Sequence, residues 1–216
     1  NDADPATALT NKRFPWLSAK QIELGMCPVN AIRVAYTGEL GWELHHPIEM
    51  QNYLFDLLEK AGEPHGMKLV GARAQNWLRQ EKSYRAFGTE LGRDATPLEA
   101  DLPRFVDLSK EFNGKAEMEA KGIRSKCVTL LIDGPEDADP WGREALYALD
   151  GTRVGPLTSG GYSVAFEKSI GMGYVKPELA EVGTKLQVKM LDQLWDAEIV
   201  EDSPYDPKNT TIRLDG

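Results

Sequence analysis

Residues 34–44 read Val34-Ala35-Tyr36-Thr37-Gly38-Glu39-Leu40-Gly41-Trp42-Glu43-Leu44 and set two glutamates and a tyrosine around two glycines. Apolar and polar residues alternate on both sides of the bend at the two glycines, and this predicts a β-hairpin or a bulged strand with both glutamates near the turn. A carboxylate held on a sheet accepts two hydrogen bonds side by side, which suits a ligand edge with two adjacent N–H donors. The alternative is that both glutamates are ordinary solvated carboxylates of a strand.

Four further motifs follow along the chain: residues 78–91 (LRQEKSYRAFGTEL), 96–100 (TPLEA), 112–115 (FNGK) and 154–163 (VGPLTSGGYS). Together with residues 36–44 they resemble the segments Y-x-G-E-x-G-x-E, L-R-x-E, T-P-(L/I)-E-A, F-x-G-(K/R) and T-S-G-G of the glycine-cleavage T-protein family. The members of that family are aminomethyltransferases that bind tetrahydrofolate. Each motif alone is a weak signal, but five in the family's order are specific.

Within the family, the residues Glu81-Lys82-Ser83-Tyr84-Arg85, the turn at 139–144 and the ending Tyr205-Asp206-Pro207 resemble the folate domain of dimethylglycine and sarcosine dehydrogenases. This resemblance implies tetrahydrofolate-dependent one-carbon transfer in the oxidative demethylation of an N-methylated amine, or aminomethyl transfer. The implied small-molecule partners are folate and a methylamine-type substrate. FAD is expected only in an upstream domain or a partner flavin-dehydrogenase subunit.

Other functions on the same scaffold stay open. A sulfonium or methoxy demethylase would move a methyl group instead. A folate-binding module without catalysis is also possible, although the related iron–sulfur assembly proteins carry a K-G-C-Y-x-G-Q-E motif and residues 81–88 contain no cysteine. A third possibility is an inert fragment.

The amino-acid composition and the net charge limit the classes of partner that we expect for this chain. The chain has 216 residues, 41% hydrophobic and 27% charged, which is ordinary for a globular protein. Its formal net charge is −9, so nucleic acid and anionic membranes are not expected as partners. The two cysteines, Cys27 and Cys127, form no zinc or disulfide pattern. We therefore expect a cytoplasmic protein, or a mitochondrial-matrix protein in a eukaryote, and the start at Asn1 suggests a processed chain or a fragment.

The spacing of apolar residues predicts a strand from Met26 to Tyr36, a helix from Pro47 that ends at Gly62 and a second helix over residues 72–84. A short helical or irregular run from Ser18 through Ile22 and a short strand at residues 105–108 are also predicted. From residue 126 onward, short β-branched runs between Gly, Pro and Asp predict a small β-barrel or sandwich.

The predicted fold class is therefore α+β. Residues 1–122 are expected to form a partial, mixed α/β folate-binding domain, and residues 123–216 a C-terminal β-barrel. The resemblance covers only the second half of the family's folate-binding part. The catalytic aspartate of the family lies in the other half, so no catalytic residue is assigned, and Asp94, Asp101 and Asp107 do not match its motif.

The resemblance implies five ligand-binding positions. Glu43 is the family's pterin-gripping glutamate, and Tyr36 is its ring-lining tyrosine, unless it is a core tyrosine. Gln75 stands where T-proteins carry an arginine for the folate tail, a departure that the dehydrogenase branch shares. In the barrel, Trp141 and Tyr162 are candidates to flank the ligand's aromatic part, or else they close the barrel.

Four other residues are interpreted differently. Arg79 and Glu81 lie on different faces of their helix, and each is predicted to form a buried ion pair with a partner elsewhere in the fold. His45 and His46 point to opposite faces of a strand and cannot share one metal ion, so no metal site is predicted.

Overall fold

The computed structural model describes residues 5–214, which fall into two compact units. The first unit contains the chain up to Gln75 together with the residues from Lys208 onward, and the second is Asn76–Pro207. The boundary predicted near residue 122 stays a prediction. Among the described residues, no helix has the length and apolar character needed to cross a bilayer.

The first unit is built on a three-stranded antiparallel sheet in the order β1-β2-β3. Its elements are α1 (Pro5–Ala8), β1 (Ala19–Leu24), β2 (Cys27–Ile32), β3 (Glu43–His45), a 3-10 turn (Ile48–Met50), α2 (Gln51–Gly62) and a second 3-10 turn (Glu63–His65). The helix α3 (Ala72–Glu81) begins in this unit.

The core of the first unit lies on one face of β2. Its residues alternate between buried and exposed, as expected of a strand with one face on a core. Cys27, Val29 and Ala31 point inward and pack with Phe14 and with Leu54 of α2. The antiparallel pairing predicted on either side of the glycines is present as β2 and β3, but the strand predicted from Met26 to Tyr36 covers only Cys27–Ile32, and residues 33–42 form a loop.

Both predicted helices of this region are present. Pro47 directly precedes the 3-10 turn that leads into α2, and α2 ends at Gly62 as predicted. The helical or irregular run predicted after Ser18 is wrong. Those residues form β1, because the tight turn at Gly25 lets the whole segment pair with β2 from Leu24↔Cys27 onward.

The second unit contains a closed six-stranded antiparallel barrel in the order β4-β7-β6-β5-β8-β9. Before it come a 3-10 turn (Pro103–Phe105) and α4 (Lys115–Lys121). The strands are β4 (Lys126–Ile132), β5 (Ala145–Tyr147), β6 (Arg153–Ser163), β7 (Lys168–Val175), β8 (Lys185–Met190) and β9 (Gln193–Val200).

The barrel and the α+β class are confirmed, and the barrel interior is a single apolar cluster that includes Leu130, Leu146 and Val188. The strand predicted at residues 105–108 is wrong. The 3-10 turn that begins at Pro103, where proline fixes the backbone φ, ends at Phe105, and residues 106–108 belong to no strand.

Candidate functional site

The loop between β2 and β3 holds most of the Y-x-G-E-x-G-x-E segment. Ile32 pairs with Glu43, so the chain leaves and re-enters the sheet at opposite positions. Gly38 has φ +84°, a backbone conformation that favours glycine. At Gly41 a β-carbon would lie only 2.6 Å from the β-carbon of Ala35. The two glycines therefore allow a tight loop that places Glu43 at the first position of β3.

Glu43 presents its carboxylate on the open face of the sheet. Across the strands, Glu43 pairs with Ile32 and His45 pairs with Asn30. Ile32 and Asn30 alternate with the buried residues of β2, so Glu43 and His45 both point away from the core. Their side chains are 57% and 58% exposed, and His45 Nε2 lies 3.1 Å from Glu43 Oε2. Within residues 5–214, His45 is the one hydrogen-bond partner of this carboxylate.

A cleft of about 650 Å³ opens along the same sheet, with Gln21, Asn30 and His45 in its wall. These three residues face one another across the strands, since Gln21 pairs with Asn30 and Asn30 with His45. Glu43 is outside the wall of this cleft. Its carboxylate thus lies on open surface next to a cleft residue, and not inside an enclosed cavity.

Tyr36 and Gln75 occupy accessible positions in the first unit. Tyr36 is exposed in the same loop as Glu43, and Gln75 is exposed on the first half of α3. Accessibility is compatible with ligand binding, but it does not bring the two side chains to one point. The roles assigned to Tyr36, Gln75 and Glu43 stay predictions.

Trp141 and Tyr162 lie in the second unit. Trp141 is 74% exposed, in a turn held by Glu144, whose carboxylate accepts hydrogen bonds from the backbone N–H groups of Trp141 (2.9 Å) and Gly142 (2.8 Å). Tyr162 is half-buried on β6, and its ring meets that of Trp77 edge-on at 6.4 Å between centroids. It also lines a cleft of about 570 Å³. The ligand-flanking roles of both stay predictions.

Arg79 is the centre of a buried polar network. Its Nη1 lies 3.0 Å from Glu90 Oε2 and donates to the backbone oxygen of Tyr84 at 2.7 Å. Its Nη2 donates to Ser159 Oγ at 2.6 Å, and its Nε to Asn76 Oδ1 at 2.8 Å. The predicted buried ion pair of Arg79 is confirmed, and it joins the end of α3 to β6.

Glu90 is fully enclosed by donors. Ser159 and Thr158 donate to Oε1, and the backbone N–H of Ala86 donates to Oε2. Burial alone would raise the pKa of Glu90, but the Arg79 charge and these hydrogen bonds hold that pKa below its ordinary value. The hydroxyl groups of Thr158 and Ser159 in the T-S-G-G motif therefore stabilise the buried ion pair of Glu90 with Arg79.

The two glycines of T-S-G-G serve packing. A β-carbon at Gly160 would lie 2.6 Å from atoms of Pro140, and one at Gly161 would lie 2.1 Å from Cδ1 of Trp77. Neither glycine has a positive φ. The absence of a side chain at these two positions is thus explained by close neighbours inside the protein and needs no ligand.

Two further motif glutamates are also engaged internally. Glu81 is buried as predicted, but the ion pair predicted for it is wrong within residues 5–214: it accepts hydrogen bonds from Ser163 Oγ (2.6 Å) and from the backbone N–H of Ala165 (3.1 Å). Glu99 of the T-P-L-E-A motif pairs with Arg124, Nε to Oε1 at 2.9 Å. Burial opposes ionisation of Glu99, but hydrogen bonds from Arg124 and from the Thr96 backbone outweigh it and lower its pKa to about 2.

The motifs thus divide by environment. Those at residues 78–163 place Arg79, Glu81, Glu90 and Glu99 in buried networks, whereas Glu43 offers an exposed carboxylate. Sequence reasoning missed His45, which it weighed only as a metal ligand. Because residues two apart on a strand lie on the same face, the alternation that separates His45 from His46 also predicts that His45 lies beside Glu43. In residues 5–214, no group of three or more His, Cys, Asp or Glu could hold a metal ion.

Comparison with known protein families gives two matches in chain order. The GCVT N-terminal domain matches residues 3–110, and the glycine cleavage T-protein C-terminal barrel domain matches residues 126–206.

Curated relatives match nearly the whole chain. It is 40% identical over 213 residues to dimethylglycine dehydrogenase, mitochondrial, from Homo sapiens (95% of this chain, 24% of the relative). It is 30% identical over 224 residues to sarcosine dehydrogenase, mitochondrial, from Mus musculus (98% and 24%). It is 31% identical over 195 residues to an aminomethyltransferase from Desulfitobacterium hafniense (89% and 52%). The chain thus spans about a quarter of the dehydrogenases and about half of the aminomethyltransferase.

Among solved structures, the crystal structure of glycine cleavage system aminomethyltransferase T from Bartonella henselae superposes with a TM-score of 0.77 at 23% identity. The match covers 93% of this chain and 54% of that chain. At this identity the likeness concerns the fold alone.

Proposed function

The chain belongs to the glycine-cleavage T-protein family, and from this membership we propose that it binds tetrahydrofolate and serves one-carbon transfer from an N-methylated amine. The dehydrogenase relatives match along 95% and 98% of this chain, and their names specify dimethylglycine and sarcosine. This favours an amine donor over a sulfonium or methoxy donor on the same scaffold.

The observation that carries the proposal is the exposed carboxylate of Glu43 at the last position of the Y-x-G-E-x-G-x-E segment. A pterin offers two adjacent N–H donors, and a carboxylate has two acceptor oxygens with two lone pairs each. Oε2 already accepts from His45, yet it can accept a second donor, and Oε1 accepts none from residues 5–214. The residue therefore fits a pterin edge.

Tyr36 and Gln75 are proposed as further folate-binding residues on the strength of the family motif and their accessibility. Trp141 and Tyr162 are proposed to contact the aromatic part of the ligand, since one is strongly exposed and the other lines a cleft. Each assignment is tested by replacing that residue alone, with alanine or, for a tyrosine, with phenylalanine, and measuring the affinity for folinic acid.

Glu43 would hold the pterin of tetrahydrofolate, which when bound would supply N5 as the nucleophile for the carbon of an iminium group. Two of the aspartates considered above have other partners: Asp101 pairs with Lys126 at 3.2 Å, and Asp107 accepts from Ser109 at 2.6 Å. No described aspartate is proposed as catalytic.

The iminium group requires an amine oxidation, so we propose a flavin-dehydrogenase domain or subunit as partner, in line with the names of the longer relatives. The proposed location is the cytoplasm, or the mitochondrial matrix in a eukaryote, because two relatives are named mitochondrial.

Calorimetric titration with folinic acid, a stable reduced folate, tests the proposal. Glu43→Gln should weaken binding about tenfold or more, because a hydrogen bond to a charged group contributes about 1.5–3 kcal/mol. Glu49→Gln, at another exposed glutamate of the first unit, should bind like the unaltered chain. Absence of heat from the unaltered chain would refute folate binding, and equal affinities for both variants would remove Glu43 from the site.

A further inference from the structure

The exposed pair of His45 and Glu43 contributes little to the free energy of folding. Both side chains are more than half exposed, and exposed pairs contribute only about 0–1 kcal/mol to stability. Both residues nevertheless lie on the same open face and are joined at 3.1 Å. An exposed contact that stability does not require, at the proposed ligand carboxylate, calls for another explanation.

The chemistry of the contact fixes the direction of the hydrogen bond. An ionised carboxylate only accepts, so His45 must donate from Nε2 to Oε2 whether the imidazole is neutral or charged. A glutamate has three side-chain torsions, and an exposed one samples several rotamers that a ligand must restrict. A fixed donor on one oxygen limits this sampling before the ligand arrives.

We propose, on the basis of the proposed function, that His45 is a positioning residue that holds Glu43 in the orientation that receives the paired N–H donors of a reduced pterin. His45 acts through Oε2, which keeps a second lone pair for the ligand, and leaves Oε1 open. His45 also lines the cleft along the same face. A ligand held by Glu43 therefore has room beside this imidazole.

Two variants of His45 separate positioning from bulk. His45→Leu removes the donor, and folinic acid should bind about three- to tenfold more weakly, as expected for one hydrogen bond of about 0.7–1.4 kcal/mol. His45→Gln keeps an N–H donor of similar reach, and its affinity should stay within about twofold of the unaltered chain. His65→Leu is the matched control, since His65 is exposed in a different element. Its affinity should not change.

A double-mutant cycle shows whether His45 acts through Glu43. In the Glu43→Gln background, His45→Leu should cause no further loss, measured by NMR shift titration so that weak binding stays accessible. An equal loss in both backgrounds, or unchanged affinity in His45→Leu alone, would overturn the inference while leaving folate binding intact. Absence of folinic acid binding by the unaltered chain would instead refute the proposed function.

Discussion

Arg79 and Glu90 form an ion pair at 3.0 Å with side chains that are 3% and 0% exposed. Both charges are surrounded by hydrogen-bonding partners, so the cost of removing them from water is offset locally. The pair connects the end of α3 with β6, and Tyr174 adds a hydrogen bond from its hydroxyl to the backbone oxygen of Glu90 at 2.7 Å. Removal of either charge alone would leave the other buried without its ionic partner, and we expect this to destabilise the second unit.

Glu90→Gln should destabilise the protein by about 3–5 kcal/mol. The variant removes the negative charge but leaves Arg79 buried and positive, and an unpaired buried charge is costly. Urea unfolding followed by tryptophan fluorescence gives the free energy. The matched control is Glu198→Gln, which breaks the exposed pair of Glu198 with Lys185. It should cost less than about 1 kcal/mol, and similar losses in the two variants would contradict a central role for the buried pair.

Gly161→Ala should destabilise by about 1–3 kcal/mol through overpacking. The φ of Gly161 suits any residue, so the cost comes only from the new β-carbon, which would lie 2.1 Å from Cδ1 of Trp77. The control Gly92→Ala meets no atom within 4 Å, and should stay within about 0.5 kcal/mol of the unaltered chain. If both glycine variants unfold at the same urea concentration as the unaltered chain, the contact with Trp77 is looser than described.

Stability should fall in acid partly through Glu99. The pKa of this group is lowered to about 2 by its hydrogen bonds with Arg124 and the Thr96 backbone, whereas a glutamate in the unfolded chain titrates near about 4.3. Its contribution is therefore complete above about pH 4.3 and is lost as the pH falls towards 2. Urea midpoints measured from pH 6 to pH 2 should decline less steeply in Glu99→Gln than in the unaltered chain. Parallel curves would contradict the assignment.

The fold could be predicted where a local pattern was long. The helix α2 has a clear apolar periodicity, and the barrel strands other than β5 contain short β-branched or apolar runs, so both were predicted. The strand β1 was missed because most of its residues are exposed, so its state depends on pairing with β2 and not on burial. The strand β5 was missed because its three residues are too few to show an alternation of apolar and polar side chains.

The candidate site was predicted less completely, for a physical reason. Sequence alone gives the type of a residue but not its neighbours, so Glu43 and Glu99 look equally suited to chemistry. Only the structure shows that Glu99 is buried against Arg124 and that Glu43 is open beside His45. The buried role of Arg79 followed from its helix position, but its partner Glu90, eleven residues later, did not.

Arg33→Lys should destabilise the first unit by about 2 kcal/mol or more. The Arg33 guanidinium is fully buried and donates to the backbone oxygens of Leu9 (3.1 Å), Phe14 (2.8 Å) and Leu214. Lysine keeps the charge but has one compact ammonium group, which cannot span three carbonyl groups set around a planar fork. Each hydrogen bond from a charged donor contributes about 1.5–3 kcal/mol, and the buried Phe14 carbonyl would lose its donor. Urea unfolding gives the loss, and limited proteolysis should cleave faster near Phe14 because that segment loses its tether. The exposed neighbour Arg13→Lys is the control for charge and position, and an equal protease sensitivity of the two variants would show that the guanidinium does not hold this segment.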